Sequence, residues 1–328
     1  MSLDDCVGSL LNDDICILPT ETVYGLACSA YSSTAIKKVF KLKGRPCSNP
    51  LIVHVLNHDA ANEVCHTNDL SKKLAKAFWP GPLTLVLPKR KSIPNILTAN
   101  LDTVGVRSPA HPEFRRILNS VNLPLAAPSA NKSNKLSPTS FDNVKDEFGD
   151  NTPPILDGGS CKVGIESTVL DLTSKYPNIL RHGSISKYQI QKVIGMEVQC
   201  LKEILKLETP IPNSQKSPGQ FSKHYCPNTP LILHSSLIKL INIIPEYEND
   251  IIILPFKKET LNFDSSAFSI LFLSENGDPN EIAYNLYNTL HEADKLNKDK
   301  IHASLFEDDF GVFSAINDRL TRASTKLI

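Results

Sequence analysis

The chain has 328 residues, 41% of them apolar, with 35 basic and 35 acidic side chains and hence no formal net charge. That length suggests about two domains, and the even charge excludes a nucleic-acid binder that works through a general basic excess. Eight scattered cysteines form no CxxC pair and no His/Cys cluster at zinc spacing, which excludes a zinc module or a disulfide framework.

Ser2 followed by Asp4 and Asp5 predicts a helix start, with Leu3, Val7, Leu10 and Leu11 as its apolar face. ICIL (15–18) predicts a short buried strand ending at Pro19. Ile36, Val39 and Phe40 predict a helix over Ser33–Lys43, stopped by Gly44 and Pro46. LIVHVL (51–56) predicts a strand, residues 70–78 a helix, LTLVLP (83–88) and TVGVR (103–107) two strands, and HPEFRRILNSV (111–121) a helix. PLAAPSAN (124–131) begins as a strand and opens into a Ser/Asn/Pro loop up to Ser140. ILDGG, GIESTVLDL and NILRHG are strand candidates, and Ser186–Ile194 is a helix candidate. Strands alternate with helices, but several lie close together. The pattern predicts an α/β domain on a mixed sheet over residues 1–205.

Residues 208–230 hold five prolines and almost no apolar periodicity. The stretch 206–230 therefore reads as a structured linker of a length that is often functional. Residues 231–328 carry LILH, a helix near 235–244, IIILPF, FSILFL, a helix over about 279–297, IHASLF and a last helix ending in NDRLTRAS. They predict a second, smaller α/β unit. The acidic opening MSLDDCVGSLLNDD has no basic n-region, and no apolar run approaches ~18 residues. The expectation is a cytosolic chain, neither secreted nor membrane-spanning.

There is no GxxxxGK[ST] loop, strand-linked GxGxxG, GxSxG or HExxH in the chain. Polar clusters instead stand at successive strand ends, where open α/β sheets bind ligands. Lys43 and Arg45 are two apart, so in an extended stretch both point to one face. Two fixed cations there suit a triphosphate or a phosphoryl transition state, although on its own such a pair past a helix C-terminus is more often a solvated partner for the helix dipole. Ser129 and Asn131 also share parity, as phosphate ligands or as a turn bonding its own backbone. Arg107 and Arg181 end strands as anion ligands or surface charges. His54, inside an apolar strand, is a ligand contact or a satisfied core residue. The joint presence of these groups at strand ends favours one shared site.

The stretches PTETVYGL, KGRP with NPLIVH, FWPGPLTLVL, VGVRSPAHP, PLAAPSAN with SPT, DGG with GIESTVLDL, ILRHG, SPGQFSKHYCP and NDRLTRAS occur in one order. In that order they resemble the YrdC family of threonylcarbamoyl-AMP synthases in its two-domain form, over about residues 12–324. The resemblance implies a twisted, mostly open mixed sheet with a large concave cleft, plus a smaller C-terminal α/β domain. It implies that L-threonine, bicarbonate and ATP are converted to threonylcarbamoyl-AMP and pyrophosphate, for a downstream tRNA threonylcarbamoyl-transferase complex. Mg²⁺ is expected on the triphosphate, with no stable nucleic-acid binding and no membrane. By similarity Lys43, Arg45, Ser129 and Asn131 form the catalytic tetrad. Thr22, His54, Arg107, the main chain of Ala127, and Ser167 hold threonine. Arg45, Asn49, Thr103, Ser129, Ser137 and Arg181 contact ATP, and His224 and Tyr225 close over the cleft. The linker departs from the common pattern in carrying Gln-Phe-Ser-Lys before the His-Tyr pair. Two other readings compete with this one. A carbamoyl-adenylate former of the hydrogenase-maturation type would add an acylphosphatase-like region and zinc cysteines, which are missing. A non-catalytic RNA-binding module is at odds with the zero net charge.

Overall fold

The computed structural model describes residues 2–200, 224–243, 249–257, 269–308 and 311–328. The expected linker thus lies outside the described residues except for its last seven, 224–230.

The first unit is built from α1 (Leu3–Leu11), β1 (Cys16–Leu18), β2 (Gly25–Ser29), α2 (Ser33–Lys43), β3 (Ile52–His54), α3 (His58–Ala61), α4 (Asp69–Phe78), β4 (Leu83–Pro88) and β5 (Thr103–Arg107). It continues through α5 (Pro112–Val121), β6 (Leu125–Ala126), α6 (Phe141–Phe148), β7 (Thr168–Asp171), β8 (Asn178–Arg181), α7 (Lys187–Ile194) and β9 (Gln199–Cys200). Its nine strands form one mixed sheet in the order β1-β2-β6-β3-β5-β4-β7-β8-β9. The helix ends follow local chemistry. Ser2 and Asp5 form a reciprocal capping box on α1, and Gly44 ends α2 in the left-handed conformation that glycine adopts without strain. The main core lies beneath α2 and α4, with Ile36, Val39, Phe40 and Leu74 packed on Val53, Leu85 and Val106. A second layer, with Phe114, Ile117 and Leu118 of α5 and Cys6 and Leu10 of α1, covers Leu18, Ala27 and Leu125.

The second unit comprises β10 (Leu231–His234), α8 (Leu237–Ile243), β11 (Ile251–Leu254), β12 (Ser269–Phe272), α9 (Pro279–Lys295), β13 (Ile301–Ser304), α10 (Val312–Ala323) and β14 (Lys326–Leu327). Its five strands are all parallel, in the order β12-β11-β13-β10-β14. Parallel strands are buried on both faces, which accounts for the uninterrupted apolar run of β11. One polar set interrupts this core: His234 Nε2 stands 3.0 Å from His302 Nδ1, and His302 Nε2 stands 2.9 Å from Asp250 Oδ2. The units pack directly on each other. Val23, Leu136 and Ile165 of the first lie in one apolar cluster with Tyr287, Ile316 and Leu320 of the second.

Three sequence expectations change. The strand expected over 51–56 is regular only at Ile52–His54. ILDGG is no strand; Ile155 makes a single bridge to Ile17. Lys43 and Arg45 do not share an extended stretch, because Lys43 closes α2 and the left-handed Gly44 turns the chain between them.

Candidate active site

Strands β3 and β5 run parallel with His54 opposite Arg107, so both side chains leave the sheet at one level and on one face. The turn 19–24 crosses in front of them. Thr20 Oγ1 closes that turn on Val23 and meets Thr22 Oγ1 at 2.8 Å. Arg107 is buried and held from three sides: Nη1 donates to Thr22 Oγ1 at 2.9 Å, Nε donates to the Gly81 carbonyl at 3.2 Å, and Nη2 lies 2.7 Å from Glu21 Oε1. Burial pushes the Glu21 carboxyl up, but the adjacent Arg107 outweighs it and the net shift is down. The Nη2–Oε1 approach is an ionic contact without hydrogen-bond alignment, so both atoms keep an unsatisfied direction. His54 rests on the Phe114 ring at 5.2 Å; burial, then Arg107, pushes its pKa down to about 3. It is a neutral imidazole whose buried Nδ1 has no partner.

Cations occupy the other side. Arg45 Nη2 donates to Asn49 Oδ1 at 2.5 Å and to the Pro50 carbonyl at 3.0 Å. Burial, then the nearby Arg181, lowers its pKa to about 9. Lys43 Nζ donates to the carbonyls of Ser129 and Asn131, both at 2.5 Å. Burial, then Arg45, holds this ammonium well below the ordinary lysine value. Arg181 donates from Nη2 to Ser167 Oγ at 3.1 Å, and Ser167 Oγ lies 2.8 Å from Thr84 Oγ1. Among the described residues neither Lys43 nor Arg45 has a carboxylate within ion-pair distance.

These elements enclose a cavity of about 50 Å³. Its walls include Thr22, Arg45, His54, Arg107, Ala127, Ser129, Ser167 and Arg181, with His224 and Tyr225 closing one side. Five of the expected residues stand outside the wall. Lys43 braces the 129–131 turn from behind; Asn131 Nδ2 donates to the Lys132 and Lys135 carbonyls; Asn49 fixes Arg45; Ser137 donates to Glu166 at 2.6 Å. Thr103 pairs with Pro88 at the far end of β5, roughly 13 Å along the strand from Arg107, and lines a separate small pocket behind Ile52. The sequence reading missed Glu21 and Glu166, although both sit inside the stretches PTETVYGL and GIESTVLDL. It also gave no role to Arg319 or Tyr287, which reach Glu166 from the second unit. Of nine buried side-chain polar atoms without a hydrogen-bond partner among the described residues, six belong to Glu21, Asn49, His54, Arg107, Asn131 and His224 around this cavity. Native proteins leave few such atoms, so their concentration here marks a ligand site.

A wider groove of about 450 Å³ lies between α6 and α9. Several of its charges are internally paired: Lys295 bonds Asp146 at 2.7 Å, and Asp294 accepts the amides of Asn228 and Thr229. Among the described residues no group of three or more His, Cys, Asp or Glu is placed to hold a metal ion, and no helix is long and apolar enough to cross a membrane.

Residues 9–183 match the Sua5/YciO/YrdC family model, described as telomere recombination, and residues 185–325 match the model for the threonylcarbamoyl-AMP synthase C-terminal domain. A threonylcarbamoyl-AMP synthase of Pyrococcus abyssi is 36% identical over 97% of this chain and 92% of its own. One of Bacillus subtilis is 36% identical over 96% and 90%. The crystal structure of P. abyssi Sua5 complexed with L-threonine superposes with a TM-score of 0.88 at 34% identity, covering 99% of this chain and 96% of that one.

Proposed function

This chain belongs to the Sua5/YciO/YrdC family in its two-domain form, and from that premise we propose how it works as a threonylcarbamoyl-AMP synthase, forming threonylcarbamoyl-AMP and pyrophosphate from L-threonine, bicarbonate and ATP. The observation that carries the reading is a set of buried cations with no carboxylate within ion-pair distance among the described residues. Lys43 and Arg45 are 2% and 7% exposed, yet meet only carbonyl and amide oxygens. Burying an unpaired cation costs several kcal/mol, a cost that a bound polyanion offsets. ATP is such a polyanion.

Threonine sits at the β3–β5 end. Its carboxylate takes the open direction of Arg107 Nη2, and the neutral His54 Nδ1 accepts from its ammonium or hydroxyl. Thr22, Ser167 and the Ala127 main chain shape this end. The triphosphate lies across Arg45, Ser129 and Arg181. Threonine's ammonium loses one proton to solvent; the free amine then adds to the bicarbonate carbon, and a bicarbonate oxygen leaves as water with an amine proton, giving a carbamate. A carbamate oxygen then forms a bond to the α-phosphorus while the bond to the pyrophosphate oxygen breaks. No protein nucleophile takes part. Catalysis comes from holding two anions in line and neutralising the charge that develops on phosphorus. Lys43 contributes from behind the wall, polarising and fixing the Ser129–Asn131 turn. Mg²⁺ enters as part of the nucleotide substrate, held by the triphosphate and water.

A threonyl carbamate and a mixed anhydride are both water-sensitive, so a cover over the reaction is chemically required. His224 and Tyr225, which close one side of the cavity, swing aside to admit ATP and return over the intermediate. The product then passes, in the cytosol, to a tRNA threonylcarbamoyl-transferase complex. Pyrophosphate release with threonine and bicarbonate omitted in turn tests the reaction: release must need both. Release with neither, or with carbamoyl phosphate in their place, defeats it. Deleting residues 208–328 tests the cover. Unchanged adenylate formation and leakage would remove that role.

A further inference from the structure

The second unit reaches Glu166 on the cavity wall through Tyr287 of α9 and Arg319 of α10. Arg319 of α10 is 1% exposed. Its Nε donates to Glu166 Oε2 at 3.1 Å, its Nη1 to the His182 carbonyl at 2.5 Å, and its Nη2 to the Glu166 carbonyl at 3.5 Å. Glu166 is the one carboxylate among the described residues of the cavity wall. Its remaining bonds come from Ser137 Oγ at 2.6 Å and from the Tyr287 hydroxyl at 3.1 and 3.2 Å. Glu166 directly precedes Ser167, and His182 directly follows Arg181. Arg319 therefore ties together the two strand ends that present Ser167 and Arg181 to the cavity.

The local backbone makes that tie consequential. A side-chain carbon on Gly183 would stand 2.3 Å from the Thr168 nitrogen and 2.7 Å from the Glu166 carbonyl oxygen, so the ends of β7 and β8 touch main chain to main chain. Gly164 has a φ of +78°, and a carbon on it would stand 2.5 Å from the Ala283 oxygen of α9. The loop carrying Glu166 is thus moulded on the second unit. The Tyr225 ring lies 5.5 Å from the Arg319 guanidinium.

A carboxylate left uncompensated at this position would draw Arg181 away from the cavity and repel an incoming polyanion. We propose that Arg319 is a positioning residue for adenylation: it neutralises Glu166 from the second unit and thereby reserves Arg181 and Arg45 for the phosphates of ATP. This rests on the functional reading above. Burial opposes charge on both partners, yet Arg319, then Arg181, hold Glu166 below its ordinary value, and Tyr225, then Glu166, hold Arg319 above its own.

The test uses the full chain and compares wild type, R319M, E166Q and E166Q/R319M. ATP and threonine affinities are measured by calorimetry alongside pyrophosphate release. R319M is expected to weaken ATP by about thirtyfold, the effect of stranding one partner of a buried pair, and threonine by less than about threefold. E166Q/R319M is expected to recover at least about tenfold of the ATP affinity. R319M that binds ATP as wild type does, or a double variant no better than R319M, overturns the proposal. If R319M shows no cooperative melt, the double variant is compared with E166Q. ATP affinities within about threefold support the proposal, and a gap near thirtyfold overturns it. Wild type that binds ATP without releasing pyrophosphate defeats the functional reading instead, while the ATP titrations still judge Arg319.

Discussion

Replacing Lys43 by Met separates a brace from a charge held for chemistry. The ammonium makes two bonds, to the carbonyls of Ser129 and Asn131. Charge-assisted bonds of this kind contribute about 1.5–3 kcal/mol each. Against this stands the desolvation of a buried cation that has no carboxylate within ion-pair distance among the described residues, several kcal/mol in the other direction. The opposing terms nearly cancel. K43M should therefore fold with a stability within about 1 kcal/mol of wild type. Turnover should nonetheless fall by roughly 10²–10³, the loss typical when a group placed for developing charge is removed. Because burial and Arg45 hold the Lys43 pKa below 10.5, the unfolded chain binds more protons there as pH rises toward that value. Wild type should then gain stability relative to K43M across that interval. Urea unfolding at pH 7 and pH 9.5, with pyrophosphate release at pH 7.5, measures both quantities. A variant that is destabilised by more than about 3 kcal/mol and keeps near-wild-type turnover would show that Lys43 is only a brace.

R107M should weaken threonine binding by about 2–4 kcal/mol, read by calorimetry, because a carboxylate loses its charged fork and Glu21 is left buried without its partner. G183A should cost about 1–3 kcal/mol in thermal or urea unfolding and reduce turnover more than tenfold, since the new methyl forces apart main chains that carry Glu166 and Arg181. Burial, then His302, pushes the His234 pKa down to about 4 from 6.5. The unfolded chain therefore binds the extra proton between those values, and stability falls as pH drops through that window by up to ~1.4 kcal/mol per unit. H234F should flatten that acid slope in urea titrations at pH 7, 5.5 and 4.5. An unchanged slope would show that this imidazole does not titrate on unfolding.

Much of this was readable from short-range pattern. Ser33–Lys43 is found as predicted because Ile36, Val39 and Phe40 fall on one face and Gly44 supplies the stop. LTLVLP and TVGVR are found as strands at the expected residues. The helix Phe141–Phe148 was not anticipated, since its Ser140 cap was absorbed into a Ser/Asn/Pro loop. GLACS was hidden behind a polar turn, and its burial on both faces leaves no alternation to detect. Lys43 and Arg45 were singled out for a geometric reason that fails: Gly44 separates them, and the lysine meets the cavity's Ser129–Asn131 turn only through two carbonyls. Glu166 and Arg319 lie 153 positions apart. No local periodicity reports such a pair, because it exists only once two folded units meet.

The chain entering the second unit is stitched to both sides. The amide of His224 bonds the Arg322 carbonyl, that of Cys226 the Asn134 carbonyl, and those of Asn228 and Thr229 the Asp294 carboxylate. Three of these four stitches follow Tyr225, which alone in this stretch has a left-handed backbone, with a φ of 64°. Any outward swing of the His-Tyr pair is therefore geared to a pivot beside Tyr225, with residues 226–229 as a fixed mount. Such a swing must release the His224 amide and draw the buried Tyr225 ring out from beside Tyr287 and Arg319, so the cover opens only at the cost of contacts that join the two units.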